Sequence, residues 1–456
     1  MWRFVIGVIV VLAVAFGGFY AWAWHGEIAP IGRPAVTAFD PAVIAQGAKL
    51  AAIGNCAVCH TTAGGRPYAG GFPVETPFGT VYGTNITPDT KTGIGNWSEA
   101  AFRRALREGV NRQGDHLYPA FPYDHFTKAT NNDIAALYAF LMTRTPVDQR
   151  NRPPDIVFPL NWRLFAAAWK LLFLEEGEYR PDPAQDEQWN RGAYLVAGLG
   201  HCGACHTPRN FLGAEQDDKA LSGGEGEGWH APALNAASPA PVPWSADQFY
   251  AYLRHGFARE HGHVAGPMQP VVRDLQRADD ADVHAIAAYL VSLNKLEAAE
   301  RQQRSKAALE FADSRALKAP GASANGPAPG AESGEARAGP VGYAIGGSQI
   351  FAGACATCHH QGGGLPLSRP VELGLSTAVN NPGPRNLLHI ILNGIHPPLG
   401  ERGAIMPGFS GALTDQQIVA VVSYVRAHFS QRPPWTDIAS VLKSIRQNAQ
   451  ARTEKP

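Results

Sequence analysis

Cys202-Gly203-Ala204-Cys205-His206 is the stretch from which the rest of the chain is read. C-x-x-C-H is the attachment signal for a c-type haem. Two thiols at that spacing add to the two haem vinyl groups, and the histidine that follows falls beneath the iron as its proximal ligand. The pattern recurs as Cys56-Ala57-Val58-Cys59-His60 and as Cys355-Ala356-Thr357-Cys358-His359, and the three copies use all 6 cysteines. A structural zinc site needs two such pairs close together, or further Cys and His at finger spacing. Here successive pairs lie 146 and 153 residues apart. A disulfide scaffold needs a short, cysteine-dense chain. The expectation is three covalently bound haems c, attached at Cys56, Cys59, Cys202, Cys205, Cys355 and Cys358. Their proximal ligands are His60, His206 and His359.

The 456 residues suit about three ordinary domains. Basic and acidic residues balance at 39 each, and no basic stripe points to nucleic acid. The 49 glycines and 36 prolines imply much loop. The chain opens with Arg3 and then runs uncharged from Phe4 to Trp24, long enough for a helix to cross the hydrocarbon core. A retained membrane anchor over residues 1–27 is expected. A signal peptide cut near Ala21-Trp22-Ala23 is the alternative. Either way Arg3 stays in the cytoplasm, so the body lies across the inner (cytoplasmic) membrane, facing the periplasm.

The fold class expected is mostly α: three consecutive cytochrome c-like helical domains after an N-terminal transmembrane helix. Ile28 to Pro34 reads as extended linker because prolines block helix. Domain 1 spans 39–150, with Asp40 capping a helix from Pro41 to Ile53 and a closing helix from Asn132 to Met142. Domain 2 spans 184–295, with Ser245 as a cap and a closing helix from Asp280 to Leu293. A flexible linker, 296–341, follows, poor in apolar residues from Ala319 to Pro340. Domain 3 spans 342–430 and closes with the helix Thr414 to Phe429, leaving 431–456 as a tail. Helix, motif, loop and closing helix repeat at the scale of a domain.

A haem iron that only carries electrons takes Met or His opposite the proximal histidine. Met268 lies 62 residues after His206, and Met406 lies 47 after His359, both beside proline in a loop. They are the candidate distal ligands. In domain 1 the matching residue is Phe121, which has no donor atom. His125, four residues on, is the preferred replacement. Met142 and an open five-coordinate site with His116 nearby are the alternatives.

The chain resembles the three-haem cytochrome c subunit of bacterial membrane-bound dehydrogenases. The residues carrying the likeness are the three motifs, Thr84-Asn85-Ile86-Thr87-Pro88-Asp89 with Gly93-Ile94-Gly95, Leu117-Tyr118-Pro119-Ala120, Gly200 to Asn210, and the Met268 and Met406 loops. The resemblance implies electron transfer from a catalytic dehydrogenase subunit, accompanied by a small partner subunit, to ubiquinone or the respiratory chain. The alcohol-oxidising branch has Met where Phe121 stands. Pro-Ala-Phe-Pro-Tyr-Asp-His-Phe is more similar to cytochrome partners of molybdenum enzymes that oxidise aldehydes or N-heterocycles, which are favoured over quinoproteins on that resemblance. The chain itself shows no substrate-oxidising constellation. A haem enzyme with an open first site, a peroxidase or an oxygen-reducing centre, is the reading from a different class.

Overall fold

The computed structural model describes residues 1–317, 346–360, 371–397 and 405–454. It is mostly helical, as expected. Helix α1 (Trp2–Ala23) is uncharged but for Arg3 and exposed along nearly its whole length. At 22 residues it is about 33 Å long. Among the described residues it is the one helix long and apolar enough to cross a membrane.

The segment after α1 is extended, as its prolines require, but it is not free. Glu27 pairs with Arg112 at 2.6 Å, and Ile28 N–H donates to the Arg112 carbonyl at 2.9 Å. Arg104 donates to the Gly26 carbonyl at 2.8 Å.

Helix α2 (Pro41–Ile53) starts where the sequence predicts: Asp40 accepts from Ala42 N–H at 2.8 Å with proline at the first turn. A three-stranded antiparallel sheet follows, β1 (Pro73–Thr76), β2 (Gly79–Tyr82) and later β3 (Asp155–Ile156), with Val74 opposite Val81 and Gly79 opposite Ile156. Helix α3 (Glu99–Glu108) is capped by Ser98 and buries Phe102 and Leu106. Helix α4 (Asn131–Met142) begins on Thr130 and is buried on nearly every side, from Ile134 to Met142. The sequence suggests one apolar face; α2 and α3 both pack on α4, so more than one face is covered. Helix α5 (Arg163–Phe173) lies between the expected domains 1 and 2, in a stretch to which the sequence reading assigns no element.

Helix α6 (Glu187–Ala197) is capped by Asp186. Two short hairpins follow: β4 (Gly224–Gly226) with β5 (Trp229–Ala231), and, after α7 (Ala246–His255), β6 (Phe257–Ala258) with β7 (Gly262–His263). Ser245 and Gln248 form a full capping box at α7. Helix α8 (Met268–Leu275) starts on Met268 itself, so that residue is helical and not in irregular loop. Helix α9 (Asp280–Ser292) closes the second repeat.

The linker expected over 296–341 contains an 18-residue helix, α10 (Ala298–Arg315). Its Ala, Glu, Gln, Arg and Lys run has high helix propensity, which outweighs its polarity. Arg301 donates to the Trp244 carbonyl at 2.7 Å and Ala312 is buried, so α10 is packed. The Ala319-to-Pro340 stretch falls outside the described residues. The third repeat has α11 (Gly347–Ala354), α12 (Arg385–Asn393) and α13 (Asp415–Phe429), the last with a Thr414–Gln417 capping box. The expected tail is also helical: α14 (Ile438–Glu454) sends Ile438, Leu442 and Ile445 into the core built from Phe351, Leu388, Ile418 and Phe429.

The repeat has a signature in close approach. A Cβ on Gly47 of α2 would sit 1.9 Å from the Ala136 carbonyl oxygen of α4. Gly192 of α6 stands in the same relation to Ala285 of α9 at 2.0 Å, and Gly347 of α11 to Ala420 of α13 at 2.1 Å. Each repeat therefore crosses its first and closing helices at a residue without a side chain. By compactness the chain divides into two units, residues 1–204 with 209–218 and 273–289, and residues 205–208 with 219–272 and 290–456.

Candidate haem sites

Each motif presents one half-buried and one exposed cysteine: Cys56 and Cys59, Cys202 and Cys205, Cys355 and Cys358. Burial pushes the Cys56 thiol up to about 12 and the Cys355 thiol to about 11. A redox dithiol needs the opposite, a thiol lowered toward thiolate. The backbone turns sharply just before the first two motifs, through left-handed Asn55 (φ 51°) and His201 (φ 36°).

Two of the three candidate proximal imidazoles are oriented as metal binding requires. His60 Nδ1 donates to the Thr84 carbonyl at 2.6 Å, and His206 Nδ1 donates to the Pro232 carbonyl at 2.6 Å. A carbonyl can only accept, so the proton sits on Nδ1 and Nε2 keeps its lone pair for iron. Burial lowers the pKa of His60, His206 and His359, which favours the neutral ring that a metal requires. His359 Nδ1 is buried without a partner at ordinary hydrogen-bond geometry, although the Val371 backbone favours its protonated form. These residues fit haem c: paired thiols beside a neutral, oriented imidazole. Bound haem supplies the one-electron couple, while the chain sets the tautomer, the ring orientation and the burial.

A second register relates the candidate distal residues. Helices α3, α7 and α12 each end on a glycine with positive φ: Gly109 (58°), Gly256 (72°) and Gly394 (74°). The chain then doubles back through Val110 with His116, through β6 with β7, and through Ile395 with Met406. Twelve residues after each glycine stand Phe121, Met268 and Met406 respectively. Met406 exchanges two backbone hydrogen bonds with Ile395, at 3.0 and 2.8 Å, and is partly buried against the third core.

Phe121 thus occupies the methionine's place in the first repeat and packs on Phe126, ring centroids 5.3 Å apart. His125 does not replace it in this conformation. Its Nδ1 donates to the Ala197 carbonyl at 2.8 Å and its Nε2 to Glu215 at 2.8 Å. Burial works against the charge, but the Glu215 hydrogen bond and the Glu215 and Asp124 charges prevail and raise the pKa to about 8. A ring donating from both nitrogens is an imidazolium with no lone pair for iron. The expected ligand is engaged instead in a half-buried cluster of Asp124, His125 and Glu215, with Arg209 3.6 Å from Glu215. Glu215 lies ninety residues away in sequence, so nothing local to His125 signals the pairing.

The alternatives are also occupied. Met142 is fully buried at the end of α4. His116 Nε2 donates to the carbonyl of Ala23, the last residue of α1, at 2.7 Å, and burial pushes its pKa down to about 4. His201, given no role from the sequence, packs edge-on to Phe126 and donates from Nδ1 to the Leu199 carbonyl at 2.9 Å.

The family model for cytochrome c matches residues 44–145 and 190–294, and that for cytochrome c oxidase, cbb3-type, subunit III matches residues 344–425. The gluconate 2-dehydrogenase cytochrome c subunit of Pantoea cypripedii is 35% identical over 431 residues, covering 90% of this chain and 90% of the relative. The cytochrome c subunit of a quinone-linked alcohol dehydrogenase from Gluconacetobacter polyoxogenes is 36% identical over 423 residues, 89% of this chain and 85% of the relative. A nicotinate dehydrogenase subunit of Pseudomonas putida is 43% identical over 428 residues, 93% of this chain. This chain spans 34%, about a third, of that relative's length. The neutral, carbonyl-anchored imidazoles, the methionines at one register and likeness along most of the chain lead to one family: this protein is a cytochrome c subunit of the bacterial dehydrogenases, an electron carrier with covalently bound haem c.

Proposed function

We propose that the chain carries three haems c, one per motif, and relays electrons from a substrate-oxidising subunit to ubiquinone in the inner membrane. The domains are those bounded by 39–150, 184–295 and 342–430. The observation that supports this reading is a carbonyl-anchored imidazole, His206, in a repeat whose Met268 stands twelve residues beyond a left-handed glycine. Met268 and Met406 are the distal ligands of the second and third haems. Helix α1 is retained and holds the haem domains on the periplasmic face. Cleavage after Ala23 would make Ala23 the end of a departing peptide, and buried His116 would lose its partner. The 43% identity to a nicotinate dehydrogenase subunit and the Phe121 loop favour a molybdenum enzyme for aldehydes or N-heterocycles over a quinoprotein. The test is isolation of the native complex, with assays for molybdenum, for haem content and for substrate-dependent reduction of a ubiquinone analogue. Absence of quinone reduction by a complex with full haem content refutes the relay.

A second reading is supported by the first repeat. Phe121 has no donor and His125 is held as imidazolium, which favours an open first iron and hence a haem enzyme. His125 ligates that iron only by giving up a proton and its Glu215 bond. Carbon monoxide binding to one haem of the reduced protein supports the open site; no binding supports a closed carrier.

A further inference from the structure

Helix α5 is built inside out for a helix in water. Its sequence, Arg-Leu-Phe-Ala-Ala-Ala-Trp-Lys-Leu-Leu-Phe, has two charges, and both are turned into the protein. Arg163 donates to the His116 carbonyl at 2.9 Å and covers the Tyr118 ring. Lys170 is buried and donates to the carbonyls of Glu108 and Gly109, capping the end of α3. The opposite side carries large apolar groups. Phe158 and Trp162 in the preceding turn are 71% and 57% exposed, Leu172 is 66% exposed, and Phe165 and Leu171 are exposed as well. A continuous exposed apolar face of this kind marks a contact with something apolar.

Its position identifies the occupant. The last carbonyl of α1, at Ala23, is bound by His116, and the His116 carbonyl is bound by Arg163, the first residue of α5. Two hydrogen bonds therefore separate the end of the candidate membrane helix from the start of the apolar face. Aromatic residues at that level are what a bilayer interface takes up, and an amphipathic helix lies in it with its apolar face down. A protein interface of this size carries a polar rim, whereas the charges of α5 are spent inward. We propose that α5 and the turn before it lie in the membrane interface, in the leaflet where α1 emerges, as a second membrane contact made by Phe158, Trp162, Phe165 and Leu172. The inference rests on a membrane-located chain, although not on which contact holds it there.

The test uses the full-length holoprotein in phosphatidylethanolamine–phosphatidylglycerol vesicles doped with a phospholipid bearing a diazirine in its acyl chain. After photolysis, adducts are mapped by mass spectrometry. Adducts are expected on residues 2–23 and also on residues 157–173. The variant F158S/W162S/L172S should lose at least nine-tenths of the second set while keeping its haem content and the first set. Labelling confined to residues 2–23 in the wild type overturns the proposal. So does labelling of 157–173 that vanishes in the native complex, which would mark a docking surface for the catalytic subunit. A mature chain that lacks residues 2–23 yet labels over 157–173 upholds the proposal and refutes the retained anchor.

Discussion

Twelve residues beyond a left-handed glycine, the first repeat carries Phe121 and the second carries Met268. The helix before the glycine, the reversal after it and the glycine-mediated crossing of the bracketing helices are shared. One scaffold position can thus be kept while its chemistry is exchanged. A thioether offers sulfur to an iron; a phenyl ring offers only packing, here against Phe126. The backbone register specifies where a ligand would come from, and the single side chain specifies whether there is one.

The largest expected effect is on the cofactor itself. Cys202→Ala with Cys205→Ala should remove one haem of three, read as a one-third loss in the pyridine haemochrome assay. Retention of all three would end the correspondence between motif and haem. Next is the ligand exchange. Met268→Leu or Met406→Leu should leave haem attached but lower that haem's potential by about 0.2 V, a fraction of the roughly 0.8 V that axial ligands span. The near-infrared sulfur-to-iron band should weaken in step. Phe121→Met is the reciprocal test: it should add such a band if the two repeats share one distal geometry. An unchanged spectrum would break the comparison.

Smaller effects follow on stability. At Gly394 a Cβ would lie 2.2 Å from the Met406 carbonyl oxygen on backbone with φ 74°. Gly394→Ala should cost about 3 kcal/mol in the third domain and displace Met406. Thermal unfolding and the same sulfur band check it. The smallest is a pH effect at the contact that His125 of the first repeat makes with Ala197 and Glu215 of the second. The folded pKa of His125 is about 8, above its ordinary 6.5. A raised basic pKa contributes stability below about 6.5 that is lost as pH rises through 8, here about 2 kcal/mol. His125→Gln should flatten that dependence between pH 6 and 9 and leave the third repeat unaffected.

Much of this is legible because its determinants are local. Six cysteines at fixed spacing, capping residues such as Asp40, Ser98 and Ser245, and methionines beside proline all announce themselves within a few residues. The misreadings have a common cause. Helix α10 reads as linker on its polarity, although one buried alanine and one arginine suffice to dock it. Helix α14 reads as tail because its apolar positions, Ile438, Leu442 and Ile445, gain meaning only against a core assembled from residues well upstream. The engagement of His125 is hidden from the sequence for the same reason, since its partner Glu215 lies ninety residues away. Local spacing reports which atoms a segment offers, and tertiary packing decides which of them remain available.

The segment between α1 and α2 has a mechanical consequence. Eight unconstrained residues would behave as a soft tether, with ends about 16 Å apart on average and fluctuating over a comparable range. Residues 24–31 are instead fastened through Gly26, Glu27 and Ile28, with Ile31 N–H donating to the Asn96 carbonyl at 3.0 Å. With α1 in a bilayer, the first repeat then has a set height above it. On the proposed quinone relay, its encounter with a lipid-dissolved acceptor would be a search in two dimensions at fixed distance, and electron transfer, which falls steeply with distance, would be spared the averaging that a swinging domain would impose.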